Sequence, residues 1–153
     1  GLTIDHFRPA DLDRLVADEE ELFSAIQGQL QAASRKNRGV GLYTSRGEKQ
    51  FATKAERLAF GDRVAAFLVR LTQNLPEDIG FLISKGGITS NDTLSKGLAL
   101  RTARVLGQIR AGCSVVRCPA DHARFPNLPV VIFPGNVGGD EALAEAYSIL
   151  TKG

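Results

Sequence analysis

The sequence predicts an α/β fold: a mostly parallel central sheet flanked by helices, with an antiparallel hairpin near residues 101–118. Three observations carry that expectation. Apolar runs of strand length alternate with segments of helical periodicity along the chain. Two of those runs, Ile79–Ile83 and Leu128–Phe133, lead straight into glycine-rich turns and then into helical pattern. Farther on, Arg101–Ile109 and Ser114–Cys118 are joined by Arg110-Ala111-Gly112-Cys113, too short a link for a parallel crossover, so those two strands must pair antiparallel.

Composition bounds the rest. A chain of 153 residues is one domain by the usual size relation and long enough to bury a core without disulfides. Its 43% apolar and 24% charged content is that of a soluble globular protein. A formal net charge of +2 gives no field of the strength that nucleic acid selects, so a nucleic-acid partner is not expected. Cys113 and Cys118 lie five residues apart on what reads as one strand. At about 3.3 Å per residue they would be roughly 16 Å apart, beyond disulfide reach. With only His6 and His122 besides, a zinc site is not expected, and reduced thiols fit a cytoplasmic location. No apolar run reaches the length of a membrane span, and no signal-peptide pattern opens the sequence.

Taken in order, residues 2–6 suit a short edge strand that Pro9 ends. From Asp11 to Asn37 the apolar residues Leu12, Leu15, Val16, Leu22, Phe23, Ile26 and Leu30 recur at helical steps, acidic residues load the early part, and Arg35, Lys36 and Arg38 close it. Gly39 stops that helix, and Val40–Thr44 reads as the first central strand. A second helix covers Thr53 to Asn74, with Gly61 inside it as a place for a close neighbour and Pro76 beyond its end. Strand 40–44, this helix and strand 79–83 would form a parallel crossover unit. A short helix at Thr93–Leu98 follows the first glycine turn, and the last helix begins at Asp140. Three polar loops, 44–49, 84–92 and 134–139, are therefore expected at one edge of a single sheet, where open α/β folds bind ligands.

Those loops suit a phosphate cradle. Lys85, Gly86, Gly87, Ile88, Thr89 and Ser90 join close backbone approach to hydroxyl donors at a helix start, where free N–H groups attract anions. Gly135 and Gly138 allow close approach in the second loop, and Asn136 can hold a ribose or order its own turn. Arg46 can contact a phosphate or an adenine edge, or serve a structural ion pair. Asp92 can cap the short helix or ligate a metal. No GxxxxGK[ST] and no GxGxxG segment is present, which sets aside the common P-loop and dinucleotide fingerprints. No residue reads as a catalytic base, and a lone loop histidine such as His122 is expected to be idle.

Lys85–Ser90, then Gly107-Gln108-Ile109 with Gly112, then Phe125-Pro126 and Phe133–Gly138 together resemble the C-terminal nucleotide-binding domain of the four-carbon acid sugar kinases, and Tyr43-Thr44-Ser45-Arg46 is similar as well. The likeness runs from about residue 40 to the C-terminus, with order and spacing kept. It implies an ATP site using Mg2+, with ATP or ADP as ligand and the sugar acid held by an N-terminal domain of the same parent chain. It also implies a chain lacking that domain's first strand and Ser-rich loop, inactive or nearly so alone, with a homo-oligomer left open. Two other readings stand beside it: a non-catalytic sugar- or phosphate-binding module, and a docking domain that uses the 101–118 hairpin.

Overall fold

The computed structural model describes residues 4–10, 12–36, 39–44 and 49–152. The architecture is mixed α/β, and the chain divides into two compact units, Leu2–Pro76 and Glu77–Gly153.

In the first unit, β1 (Ile4–Ala10) pairs parallel with β2 (Gly39–Thr44). Pro9 lies within β1 opposite Tyr43 and does not end it, because a two-stranded sheet leaves each strand one open edge where a missing N–H costs nothing. The expected long helix is broken into α1 (Leu12–Ala17) and α2 (Glu19–Ser34). Asp18 makes the break: its backbone is extended, and its carboxylate accepts the Glu21 amide at 2.9 Å, capping α2 ahead of Glu19, Glu20 and Glu21. Helix α3 (Lys54–Gln73) starts at a reciprocal cap in which Thr53 Oγ1 accepts the Glu56 amide while the Glu56 carboxylate accepts the Thr53 amide, each at 3.2 Å. Leu15, Leu22, Ile26, Phe67 and Leu71 form the core, with Phe23 and Phe67 edge to face at 6.4 Å. Arg70 crosses from α3 to lie 3.8 Å from the Phe23 ring and fork onto the Glu20 carboxylate of α2. Gly61 has open space where a Cβ would point, so it admits no close neighbour, contrary to expectation.

The second unit is built on a four-stranded sheet in the order β3 (Leu82–Lys85), β6 (Pro129–Phe133), β5 (Cys113–Arg117), β4 (Arg104–Arg110). Between β3 and β4 run α4 (Gly87–Asp92) and a π-helical turn (Thr93–Gly97), and α5 (Ala142–Lys152) closes the chain. β3 and β6 are parallel, while β5 runs antiparallel to both β6 and β4. The hairpin expected near 101–118 is thus present, and β5 carries it onto the parallel pair. One expectation fails: β2 hydrogen-bonds to β1, and β3 takes β6 as its parallel neighbour. Among the described residues the single sheet read from the sequence is two sheets. Cys113, Val131, Phe133, Ala142 and Ala146 form the core, where two small residues one helical turn apart let α5 sit close to the strands. Both cysteines are buried and free.

Candidate functional site

The register of β3 against β6 decides what meets what. Lys85 stands opposite Phe133 at the ends of two parallel strands, so the segments that follow leave the sheet side by side. The Gly86 amide donates to Phe133 O at 2.8 Å, and Lys85 Nζ reaches over the Phe133 ring to donate to Gly135 O at 3.1 Å and Pro134 O at 3.4 Å. A Cβ on Gly135 would stand 3.9 Å from Gly86 Cα. The two glycine turns are therefore in contact.

Gly86 turns the chain with φ +102, in the left-handed half of backbone space where a side chain is strained. Helix α4 starts at once, so residues expected to form a loop are helical, and the helix begins at Gly87 rather than Thr93. No side chain caps it. Its first amides, of Gly87, Ile88 and Thr89, precede the first intrahelical bond, which runs from the Ser90 amide to Gly86 O at 2.8 Å. Gly87 has open space where a Cβ would be, Ile88 is 81% exposed, and Thr89 lies against Gly86. Uncapped amides beside a bare glycine surface can take an anion.

One expected contact is used up by the fold. Ser90 is buried and donates its hydroxyl to Ser84 O at 2.9 Å, while Ser84 Oγ meets Thr93 Oγ1 at 3.2 Å. Ser90 therefore braces α4 on β3 and has no donor left for a ligand. Asp92 sits at the far end of α4, makes no capping bond, and pairs with Lys96 at 2.8 Å. Among the described residues no group of three or more His, Cys, Asp or Glu gathers to hold a metal. Lys85, read as part of the cradle, ties the two turns together through carbonyl oxygens. Arg46 lies outside the described residues, and so does most of the 44–49 loop.

In the second turn Gly135 and Asn136 are exposed, and Val137 packs 3.2 Å from where a Gly112 Cβ would be. Gly138 has φ +81, and a Cβ there would fall 2.4 Å from the Ala142 Cβ and 3.4 Å from the Arg110 guanidinium. The β4–β5 connection thus supports the turn from below. Sequence reasoning passed over Arg110. The spacing Arg110-x-Gly112 at a hairpin end is too common to signal a site.

His122 is also not idle. Its Nδ1 accepts the Phe125 amide at 2.9 Å and the Arg124 amide at 3.2 Å, so the proton is on Nε2, which donates to Leu98 O at 2.8 Å. The ring clasps the 119–127 loop to the end of the π-helical turn.

Against known proteins, the family model described as "Nucleotide-binding C-terminal domain" matches residues 3–143. The chain belongs to that family. No curated protein matches. Among solved structures, this nucleotide-binding C-terminal domain is similar to a Salmonella typhimurium LT2 protein provisionally named as a tRNA synthase, at TM-score 0.68 and 20% identity over 95% of this chain and 34% of that one. It is also similar to a Bordetella bronchiseptica domain of unknown function (DUF1537), solved with bound citrate as a domain-swapped dimer, at TM-score 0.60 and 16% identity over 89% of this chain and 32% of that one. At such identities the likeness is one of fold, and the chain spans about a third of either neighbour's length. Among the described residues no helix is long and apolar enough to cross a membrane.

Proposed function

We propose that this domain binds the polyphosphate of ATP or ADP on its paired glycine turns and serves as the nucleotide-binding part of a kinase acting on a four-carbon or related sugar acid. The observation that carries the reading is the contact of the two turns at the ends of β3 and β6, with the uncapped start of α4 following directly on the first. In the proposed site Gly87, Ile88 and Thr89 offer backbone and hydroxyl donors, Gly86, whose own amide is held by Phe133 O, and Gly135 allow the ligand close, Gly138 shapes the second turn through its positive φ, and Asn136 meets the ribose. Lys85 and Ser90 hold the cradle's shape. Asp92 is engaged by Lys96, and Mg2+ would enter with the nucleotide.

The parent protein is proposed to be longer. The neighbours' threefold greater length supports a second domain that holds the sugar acid, and the citrate in the Bordetella structure, itself a hydroxy acid, agrees with that substrate class. The domain swap there supports a homo-oligomer. On this reading the chain alone binds nucleotide without turnover, in the cytoplasm.

Titration calorimetry with Mg-ATP and Mg-ADP tests the reading, with phosphorylated sugar acids as the comparison. Heat with the nucleotides is expected. Heat with a phosphorylated acid and none at millimolar nucleotide would transfer support to the reading of a non-catalytic phosphate-binding module.

A further inference from the structure

Arg110 is a basic residue that the fold keeps beneath the second glycine turn and pairs with one exposed carboxylate. Its guanidinium stands 3.4 Å from where a Gly138 Cβ would be, at the end of β4. Nη1 is buried and makes no aligned hydrogen bond. The Glu145 carboxylate of α5 comes within 2.9 Å of that atom without an aligned bond, and it is 59% exposed, so water screens much of its charge. A guanidinium has five N–H donors in a planar fork suited to phosphate oxygens, and a single exposed carboxylate leaves most of them to water or a ligand. Gly138 is three residues from Gly135, which touches Gly86, so Cα atoms of the two ends of the turn are at most about 11 Å apart.

We infer that Arg110 reads the charge of the ligand's phosphate tail: Glu145 is its counter-ion at rest, and a terminal phosphate lying along the 135–138 turn takes the guanidinium in its place. This rests on the anion-binding reading of the turns and adds to it a residue that separates triphosphate from monophosphate. The role is one of specificity, since uncapped amides at α4 accept any phosphate while a positive charge at the far end of the turn rewards a longer, more anionic tail. Glu145 makes the discrimination sharper, because a weakly charged ligand does not displace it.

The test measures affinities of the full chain for ATP, AMP and inorganic tripolyphosphate by calorimetry, with Arg110→Gln, Arg110→Lys and Glu145→Gln beside the wild type. Arg110→Gln should weaken ATP and tripolyphosphate on the order of tenfold and leave AMP unchanged, with partial recovery in Arg110→Lys. Glu145→Gln should tighten ATP several-fold. Equal losses for ATP and AMP in Arg110→Gln would mark a structural role and overturn the inference, as would an unchanged ATP affinity in Glu145→Gln, a variant whose exposed site makes misfolding no excuse. A wild type that binds tripolyphosphate but not ATP would sink the nucleotide reading alone; one that binds neither sinks both.

Discussion

The adjoining glycines at 86 and 87 separate folding from binding, because the structure gives them different reasons to be glycine. At Gly87 the backbone is in the first helical position and a Cβ would meet nothing within 4 Å. Gly87→Ala should therefore leave the apo protein unchanged or raise its stability by about 0.5 kcal/mol, since alanine is the better helix former and has less unfolded-state freedom to lose. Gly87→Leu should fold as well, but its side chain would stand over the α4 amides. At Gly86, φ +102 makes any side chain strained although the nearest atom, Thr89 Oγ1, is an unhindered 3.5 Å away. Gly86→Ala should then cost about 1–3 kcal/mol. The assay is thermal melting with and without Mg-ATP. At a hundredfold excess over its dissociation constant the ligand adds about 2.7 kcal/mol, which for a protein of this size raises the midpoint by about 5–10 °C. Gly87→Leu should keep the apo midpoint and lose that rise. An undiminished rise in Gly87→Leu would show that the ligand does not lie on the start of α4, and the physical reasoning would be wrong.

Other expectations concern the scaffold. Thr53→Ala removes one arm of the reciprocal cap on α3 and should lower stability by about 1 kcal/mol in urea titration, whereas Thr53→Ser should restore it. Phe67→Ala empties a site that is 2% exposed at the centre of the first unit and should cost about 3–5 kcal/mol, read from the same titration. The Arg70 guanidinium lowers the Glu20 pKa, so the stability that this ion pair lends is present above the ordinary glutamate value and is lost as pH falls through the lowered one. Wild type and Glu20→Gln should accordingly converge in stability in acid and separate slightly at neutral pH. Burial raises the Cys118 thiol pKa, so alkylation of the native protein at neutral pH should be slow and should quicken only on unfolding; fast labelling would contradict its burial.

Much of the second unit was legible because its signals are local. An apolar run, a glycine pair and a helical pattern form an ordered series, and a four-residue link between two β-rich runs permits only a hairpin. The α3 start was equally plain, since a capping residue and its partner lie three positions apart. Where local signals competed, the reading slipped. The steps of Leu12, Leu15, Val16, Leu22 and Phe23 fit one helix, and the rival pattern Asp18-Glu19-Glu20-Glu21, a cap before an acidic turn, prevailed at the break. Residues 87–92 looked like a loop because glycine, threonine and asparagine are poor helix formers, yet bonds from Ser90 and Ser84 to their neighbours hold them helical.

From the sequence alone came the α/β class, the hairpin, the two glycine turns and the family they point to, all properties written in residue type and short spacing. Strand partners were decided only in three dimensions. Pairing depends on which edges are free once every strand exists, and no residue of β2 or β3 carries that information. The same holds for Lys85 over Phe133, Ser90 turned inward, His122 clasping a loop and Arg110 beneath Gly138. Each is a contact between residues far apart in the chain or turned by a helix no propensity favoured. What a side chain is free to bind depends on what the fold has already bound to it.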